Sequence, residues 1–513
     1  MGKILKNTFS VSLTAFLSRM LGVLRDVLIA SMFGASISSD IFFLCFRIPD
    51  FFRKMFSEGI LSSSFVPVFS KYLSREGEKS AFEMANAVFV FVSIFSMIAT
   101  ILGIILAPFV VKLFLPQFLS NSYEFNLTVL LSRIMMPYFI FVSMLAVCMG
   151  ILNSMKSFKV PAFAPIIFNL VIIFFAFNVC DYFNPPIIGL AVGVTAGGIV
   201  QIALQIPFLI KKKVFGMHKI RLFHLGVLEF FRRLIPSVIG ASSFNINLLI
   251  ASFFASYLAK GNISALYYAD RLIQLPMVLI SSSIAIVLLP VFSKNSLSHE
   301  KSKYLPVLLQ GLKSVFFLII PAMAGLILLR EPLIRLFFYH GAFDLVAVKN
   351  TSSCLLYLIP GLWAYSGVRV IISVFYAFFD TTTPLKAGLM SIFFNFMLSI
   401  LLVKNMGLRG LALAISISGI INFLILFVKL NSITPFSVKD IVISACRAIF
   451  VSGIMYFAIK ILVFWMNNML DSEMPIVINV AMSVIIGVLI YFSVNVLIKS
   501  PEISMLKNKI MNK

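Results

Sequence analysis

Long apolar runs, separated by short polar breaks rich in Lys, Pro, Gly or Asn, recur along the whole chain. Most reach the roughly 18 to 20 residues that an α-helix needs to cross the ~30 Å hydrocarbon layer of a bilayer. A membrane β-barrel would instead alternate apolar and polar positions in segments of about ten. The pattern predicts an all-α polytopic membrane protein. Its transmembrane helices are placed at about 8–33, 38–57, 82–112, 126–152, 161–181, 187–210, 227–258, 264–293, 304–329, 350–377, 385–404, 409–429, 439–466 and 475–498, fourteen in all. The first run follows Lys3 and Lys6 as a secretory signal would. Arg19, Arg25 and Asp26 interrupt it, however, and no small-x-small cleavage site follows, so it is expected to remain as the first span.

The pattern is also duplicated. Leu28-Ile-Ala-Ser-Met-Phe33 returns as Leu249-Ile-Ala-Ser-Phe-Phe254, and Pro67-Val-Phe-Ser-Lys71 returns unchanged as Pro290-Val-Phe-Ser-Lys294. Pro137 and Pro360, Pro161 and Pro384, and Gly189-Leu190-Ala191 and Gly410-Leu411-Ala412 keep nearly the same offset. Six helices per copy is an even number, so both copies enter the membrane in the same sense. Parallel repeats of this kind place a substrate path where the halves meet. The expected organisation is an N-terminal six-helix lobe (1–215), a C-terminal six-helix lobe (216–432) and two further helices with a tail (433–513).

Composition narrows the class. Hydrophobic residues make up 60% of the 513 and charged residues 12%, about half the charged fraction of an ordinary soluble domain. A water-soluble enzyme and a disordered chain are both excluded. The balance of 42 basic against 19 acidic residues would suggest nucleic acid in a soluble protein. Here alternate connections carry roughly 22 and about six Lys or Arg, an asymmetry that places both termini in the cytoplasm and calls for no nucleic-acid partner.

Ionisable residues inside apolar spans are expensive and demand a reason. The first two spans contain Arg19, Arg25, Asp26, Asp40, Arg47, Asp50, Arg53, Lys54 and Glu58, the eighth contains Asp270 and Arg271, and Arg369 and Arg447 stand in later ones. Local neutralisation is available to Arg25 with Asp26, to Asp270 with Arg271, and to Asp50 or Glu58 with Arg53 or Lys54. For each pair, an ion bridge that merely fixes packing is the plain alternative. Across the set, bases outnumber acids, and an anion completes the balance most simply, because a guanidinium matches phosphate oxygens and stays charged when partly desolvated. The four histidines and five cysteines show no ligand spacing, and no phosphate-cradling Gly-rich loop occurs, so neither metal nor cofactor is expected. Gly34 and Gly59, on either side of the charged second span, are candidate hinges.

These residues carry a family resemblance. Ser18-Arg19-Met-Leu-Gly22-Val-Leu-Arg25-Asp26, Phe33-Gly34, Asp40, Arg47-Ile-Pro49-Asp50-Phe-Phe-Arg53-Lys54, Glu58-Gly59 and Ser64-Phe65-Val66-Pro67 resemble the signature of the MurJ (MviN) lipid II flippases. Tyr267-Tyr268-Ala269-Asp270-Arg271-Leu272 and the stretch from Phe375-Tyr376 to Thr383-Pro384 are similar to that family too. The resemblance implies the multidrug/oligosaccharidyl-lipid/polysaccharide exporter fold, in which two six-helix lobes enclose a cavity and the last two helices form an apolar groove. It implies lipid II, the undecaprenyl-pyrophosphate-linked disaccharide-pentapeptide, as substrate, moved across the bacterial inner membrane by alternating access without covalent catalysis. By motif it assigns Arg19, Arg25, Arg53 and Arg271 to the essential cavity arginines, Asp26, Asp40 and Glu58 to the characteristic acidic positions, and Arg369 to a basic cavity position. Membrane lipids and cell-wall synthesis or division proteins are the implied partners. One departure stands out: where a sodium site of some relatives uses a carboxylate in the seventh helix, this chain offers Asn245 and Asn247. The rival readings are a polysaccharide-unit flippase or multidrug antiporter of the same superfamily, and a polytopic polyprenyl-phosphate enzyme. A drug antiporter favours an acidic cavity, and the enzyme needs a placed acid, base or metal.

Overall fold

The computed structural model describes residues 2–57, 60–115, 121–155, 157–214, 224–285, 288, 301–378, 380–469 and 475–503. Among them the regular structure is helical throughout. The chain begins with α1 (Gly2–Phe33), α2 (Ile37–Ser57), α3 (Ile60–Arg75), α4 (Gly77–Phe114), α5 (Ser122–Met135), α6 (Tyr138–Ser154), α7 (Lys159–Asn178) and α8 (Ile187–Lys211). It continues with α9 (Leu225–Ala241), α10 (Ser243–Ala255) and α11 (Asn262–Pro276), which runs into a π turn at Met277–Ser282. The remainder comprises α12 (Lys301–Phe338), α13 (Leu345–Leu358), α14 (Leu362–Ala377), α15 (Thr382–Met406), α16 (Leu408–Ile433), α17 (Val438–Met469) and α18 (Ile476–Leu497). Eleven helical stretches among the described residues are long and apolar enough to cross a membrane. The other three predicted spans coincide with α1 and α2, which hold the ionisable cluster, and with α9 and α10, which are separated at Ser242.

Two compact units result. One contains Met1–Ser264 with Gly341–Phe343, the other Ala265–His340 with Asp344–Lys513. In the first, Phe65, Phe69, Met84, Val88, Val147, Ile151, Leu209 and Phe230 form a buried core that brings α3, α4, α6, α8 and α9 together. Lys71 on α3 pairs with Glu229 on α9 at 2.9 Å. In the second, Phe317 on α12 packs with Val451, Met455 and Ile459 on α17 and Tyr491 on α18.

Proline breaks explain much of the polar chemistry inside these helices, because a proline removes the N–H that a carbonyl one turn earlier would accept from. At the α5–α6 break beside Pro137 the Ile134 carbonyl accepts from the hydroxyl of Thr195 on α8, at 2.6 Å. At the counterpart break beside Pro360 the Tyr357 carbonyl accepts from the hydroxyl of Ser416 on α16, also at 2.6 Å. Pro137 with Pro360, Ile134 with Tyr357, and Thr195 with Ser416 keep the spacing of the sequence duplication. The repeat is thus preserved down to individual hydrogen bonds.

The appended helices use the same device. Pro321 in α12 cannot donate to the carbonyl of Phe317, and the hydroxyl of Tyr491, on α18 and 2% exposed, does so at 2.7 Å. Tyr491→Phe should lower stability by about 1–3 kcal/mol, the cost of an orphaned buried acceptor. Pro321→Ala returns a backbone donor, so the penalty of Tyr491→Phe should shrink in that background. A thermal-unfolding double-mutant cycle in detergent checks this, and equal penalties in both backgrounds would contradict it.

Candidate functional site

Six of the predicted charged residues, Arg25 with Asp26, Asp50 with Arg53 and Asp270 with Arg271, fall into three groups, two in the first unit and one in the second. On α1, Arg25 donates to Asp26 Oδ1 through Nε at 3.0 Å and Nη2 at 2.7 Å, and both residues are almost fully buried, at 3% and 2% exposure. Arg25 Nη1 reaches Asn169 Oδ1 on α7 at 3.1 Å, and Asn169 Nδ2 in turn donates to the Ser18 carbonyl at 2.9 Å. Asn169 therefore ties the guanidinium to two helices. Its sequence signal was a lone amide in the apolar run Ile166–Phe175, too weak to single it out.

On α2, Arg53 donates to Asp50 Oδ1 through Nε at 3.0 Å and Nη2 at 2.5 Å. Its guanidinium also lies 5.6 Å from the ring centroid of Phe168, next to Asn169 on α7. Phe168 stacks with Phe46 at 6.4 Å and meets Tyr138 at 5.3 Å. An aromatic shelf thus supports the second arginine, a cation–π arrangement that holds the group while leaving it partly accessible. Arg47, one face away, donates to Ser252 Oγ on α10 at 3.0 Å.

In the second unit Arg271 lies over the Tyr267 ring at 4.5 Å and donates to its hydroxyl, while Asp270 accepts from Gln274 Nε2 at 2.5 Å. These are contacts along one face of α11, one turn apart. Arg369 is half-buried on α14, and Arg19 is half-buried on α1. Glu58 and Gly59 lie outside the described residues, as does the side chain of Lys54.

Asp40 is placed differently from the arginines. It sits in the first turn of α2 and accepts from the Gly261 amide at 2.6 Å, the Ser264 amide at 2.7 Å and the Ser264 hydroxyl at 2.6 Å. Its carboxylate caps α11, the counterpart of α2 in the second repeat, and favours that helix start through both hydrogen bonding and the helix dipole. Gly34 (φ +58°) and Gly261 (φ +88°) allow the close approach: a Cβ on Gly34 would collide with the Ala342 carbonyl, and one on Gly261 with that of Ala35. The Ala342 amide donates to the Ser31 carbonyl at 2.8 Å. Three segments, 31–36, 261–264 and 341–343, are therefore clasped together within the first unit. Glu124 on α5 adds an ion pair to Lys260 at 3.1 Å.

Duplicated helical units, apolar spans and arginines buried within them define a polytopic membrane transporter. The sequence profile described as Lipid II flippase MurJ matches residues 29–478. A probable lipid II flippase MurJ of Buchnera aphidicola subsp. Acyrthosiphon pisum is 36% identical over 427 residues, 83% of this chain and 84% of that protein. One of Vibrio cholerae is 34% identical over 432 residues, 83% and 82%. The chain belongs to the MurJ family of lipid II flippases. A solved structure titled as a lipid II flippase MurJ in an inward closed conformation is similar over 98% of this chain and 99% of its own, with 30% identity and a TM-score of 0.79. A MATE-family multidrug transporter structure, 16% identical, shares the fold over 82% of this chain and 96% of its own with a TM-score of 0.66.

Proposed function

We propose that this protein moves lipid II across the bacterial inner membrane by alternating access, and that Arg25, Arg53 and Arg271 serve its diphosphate. The observation that carries the reading is the mounting of Arg25: a guanidinium almost fully buried inside an apolar helix, oriented from two sides by Asp26 and Asn169. Such burial is costly unless the charge is used, and a fork of donors held in place is suited to a doubly charged oxygen cluster. Arg19 and Arg369 supply further positive potential, and Asp26 and Asp50 keep the arginines oriented while no substrate is bound. Glu58 is retained as an acidic member of the set on its motif alone.

Asp40 takes another part in this reading. Its bonds to Gly261 and Ser264 form a clasp that opens and closes as access alternates, with Gly34 at the point of closest approach; Gly59 is kept as a second hinge. Both termini lie in the cytoplasm by the Lys and Arg distribution, which sets the clasp on the outer side. The isoprenoid tail stays in lipid beside α17 and α18, and the polar head passes through a hydrated interior because bare hydrocarbon offers its hydrogen-bonding groups nothing. No bond is made or broken in the substrate.

The test is binding of purified protein to lipid II and to the same polyprenyl-linked muropeptide lacking its diphosphate. Binding to lipid II should be tighter by a factor of ten or more, on the order of the ~1.5–3 kcal/mol of a charge-assisted hydrogen bond. Equal affinities would remove the arginines from substrate recognition.

A further inference from the structure

A further arginine within the predicted spans lies apart from all three groups. Arg133, in the last turn of α5, is exposed on the flank of the first unit. Its Nε donates at 3.2 Å to the carbonyl of Ile104 on α4, which Pro108 has deprived of its helical donor. Among the described residues this is its one hydrogen bond, and no carboxylate pairs with it.

Its depth follows from the two helices. Arg133 lies eleven residues past the start of α5 at Ser122, roughly 16 Å at 1.5 Å per residue. Ile104 lies ten residues before the end of α4 at Phe114, about 15 Å. With those helix ends taken as the edge of the hydrocarbon, both place the guanidinium near the middle of a ~30 Å layer. The bond to Ile104 pins it there, at the level of its own backbone, and does not let it reach towards the membrane surface as free arginines do.

Capping a proline break does not account for the charge. The comparable carbonyl of Phe317, below Pro321, is served by the neutral hydroxyl of Tyr491, and those of Ile134 and Tyr357 beside Pro137 and Pro360 by Thr195 and Ser416. A guanidinium is the least tolerated donor to set against lipid tails. Around it the surface is apolar, with Ile105 and Phe109 of α4 and Leu130 of α5 at 63%, 62% and 42% exposure. Above it on α5, Tyr123 and Asn126 are exposed on the same face. The spacing 123, 126, 130, 133 is the i, i+3, i+7, i+10 seam against which a second helix packs.

We infer that this face of α4 and α5 docks a transmembrane helix of another protein that carries a carboxylate near its midpoint, with Arg133 as its counter-charge. Bilayer phosphates lie about half the hydrocarbon thickness away from a pinned guanidinium, whereas a carboxylate at mid-helix meets it at its own level.

The test places the full chain in zwitterionic vesicles with a labelled Leu/Ala-rich transmembrane peptide bearing one central Glu, and reads association by energy transfer. The central-Glu peptide should associate about tenfold more tightly than the same peptide with Gln, and moving the Glu to the peptide end should remove the advantage. Arg133→Leu should abolish it. Arg133→Gln, which keeps a neutral donor for Ile104, should do the same and covers failure of the leucine variant to fold. Equal association of the Glu and Gln peptides, or an advantage that survives both substitutions, overturns the inference. An advantage lost on adding phosphatidylglycerol assigns the site to lipid phosphate instead. Self-association of the chain that depends on Arg133 assigns it to a second copy. Either result also overturns the partner helix.

Discussion

Replacing Arg25 by alanine is expected to abolish lipid II flipping, and the double variant Arg25→Ala/Asp26→Ala is expected to fold well yet remain inactive. The single substitution is ambiguous by itself. It removes the guanidinium that donates to Asp26, 2% exposed, at 2.7 Å, and breaking a buried pair from one side costs about 3–5 kcal/mol. A loss of activity would then mix misfolding with chemistry. Removing both charges lifts the desolvation problem, so the double variant should recover most of the membrane level and thermal stability of the parent. If the pair only fixed packing, activity would return with stability. If the guanidinium meets the diphosphate, activity stays lost. The same logic applies to Arg53 with Asp50, where the aromatic shelf of Phe168 predicts that Arg53→Lys is also impaired, because an ammonium neither stacks nor forks as a guanidinium does. Flipping of a fluorescent lipid II in proteoliposomes, read with melting curves of the same samples, separates the outcomes. An active double variant would withdraw Arg25 from substrate handling.

Opening of the clasp is the second large effect. Asp40→Ala should leave the Gly261 and Ser264 amides without their acceptor, at about 1–3 kcal/mol each where they are shielded from water. The equilibrium between closed and open arrangements should therefore shift roughly tenfold or more. A cysteine at Asn262, in a background with the native cysteines replaced, reports it: a membrane-impermeant maleimide applied from the side opposite the termini should label the Asp40→Ala protein several-fold faster than its parent. Asp40→Asn, which retains an acceptor oxygen, should lie between the two. Flipping should fall with Asp40→Ala, because a path that no longer seals on one side cannot alternate. Unchanged labelling would mean that the three hydrogen bonds are incidental to access. Gly34→Val should act in the same direction for a different reason, since its side chain would occupy the space of the Ala342 carbonyl.

How far the sequence could be read depended on the range of each interaction. Span lengths, helical class and duplication were legible because hydrophobicity and repeated motifs are properties of consecutive residues. The neighbouring pair Arg25–Asp26 was legible for the same reason, since adjacent residues need no fold to meet, whereas Asp50–Arg53 was one of several combinations of Asp50 or Glu58 with Arg53 or Lys54 and only the structure selects it. Asp40 was recognised as special, but its use was not, since its partners lie 221 and 224 residues away. That separation is the repeat offset itself, so the duplication contained the hint that equivalent helix starts meet. Asn169 and Phe168, which position the two arginines, gave no comparable signal. The seventh predicted span read as continuous and is interrupted at Ser242, where apolar content says nothing about a local break.

The amino-acid sequence alone thus determined the solvent this protein lives in, its helices, its two copies and the arginines that have to be explained, because burial in lipid is decided residue by residue along each run. Tertiary structure decided which amide, ring or carbonyl each of those charges meets. A hydrogen bond acts over about 3 Å, and only the folded chain brings residues a hundred or more positions apart within that distance. Arg133 marks the division: the sequence did not single it out, and only the folded chain shows its guanidinium exposed and bonded to the carbonyl of Ile104.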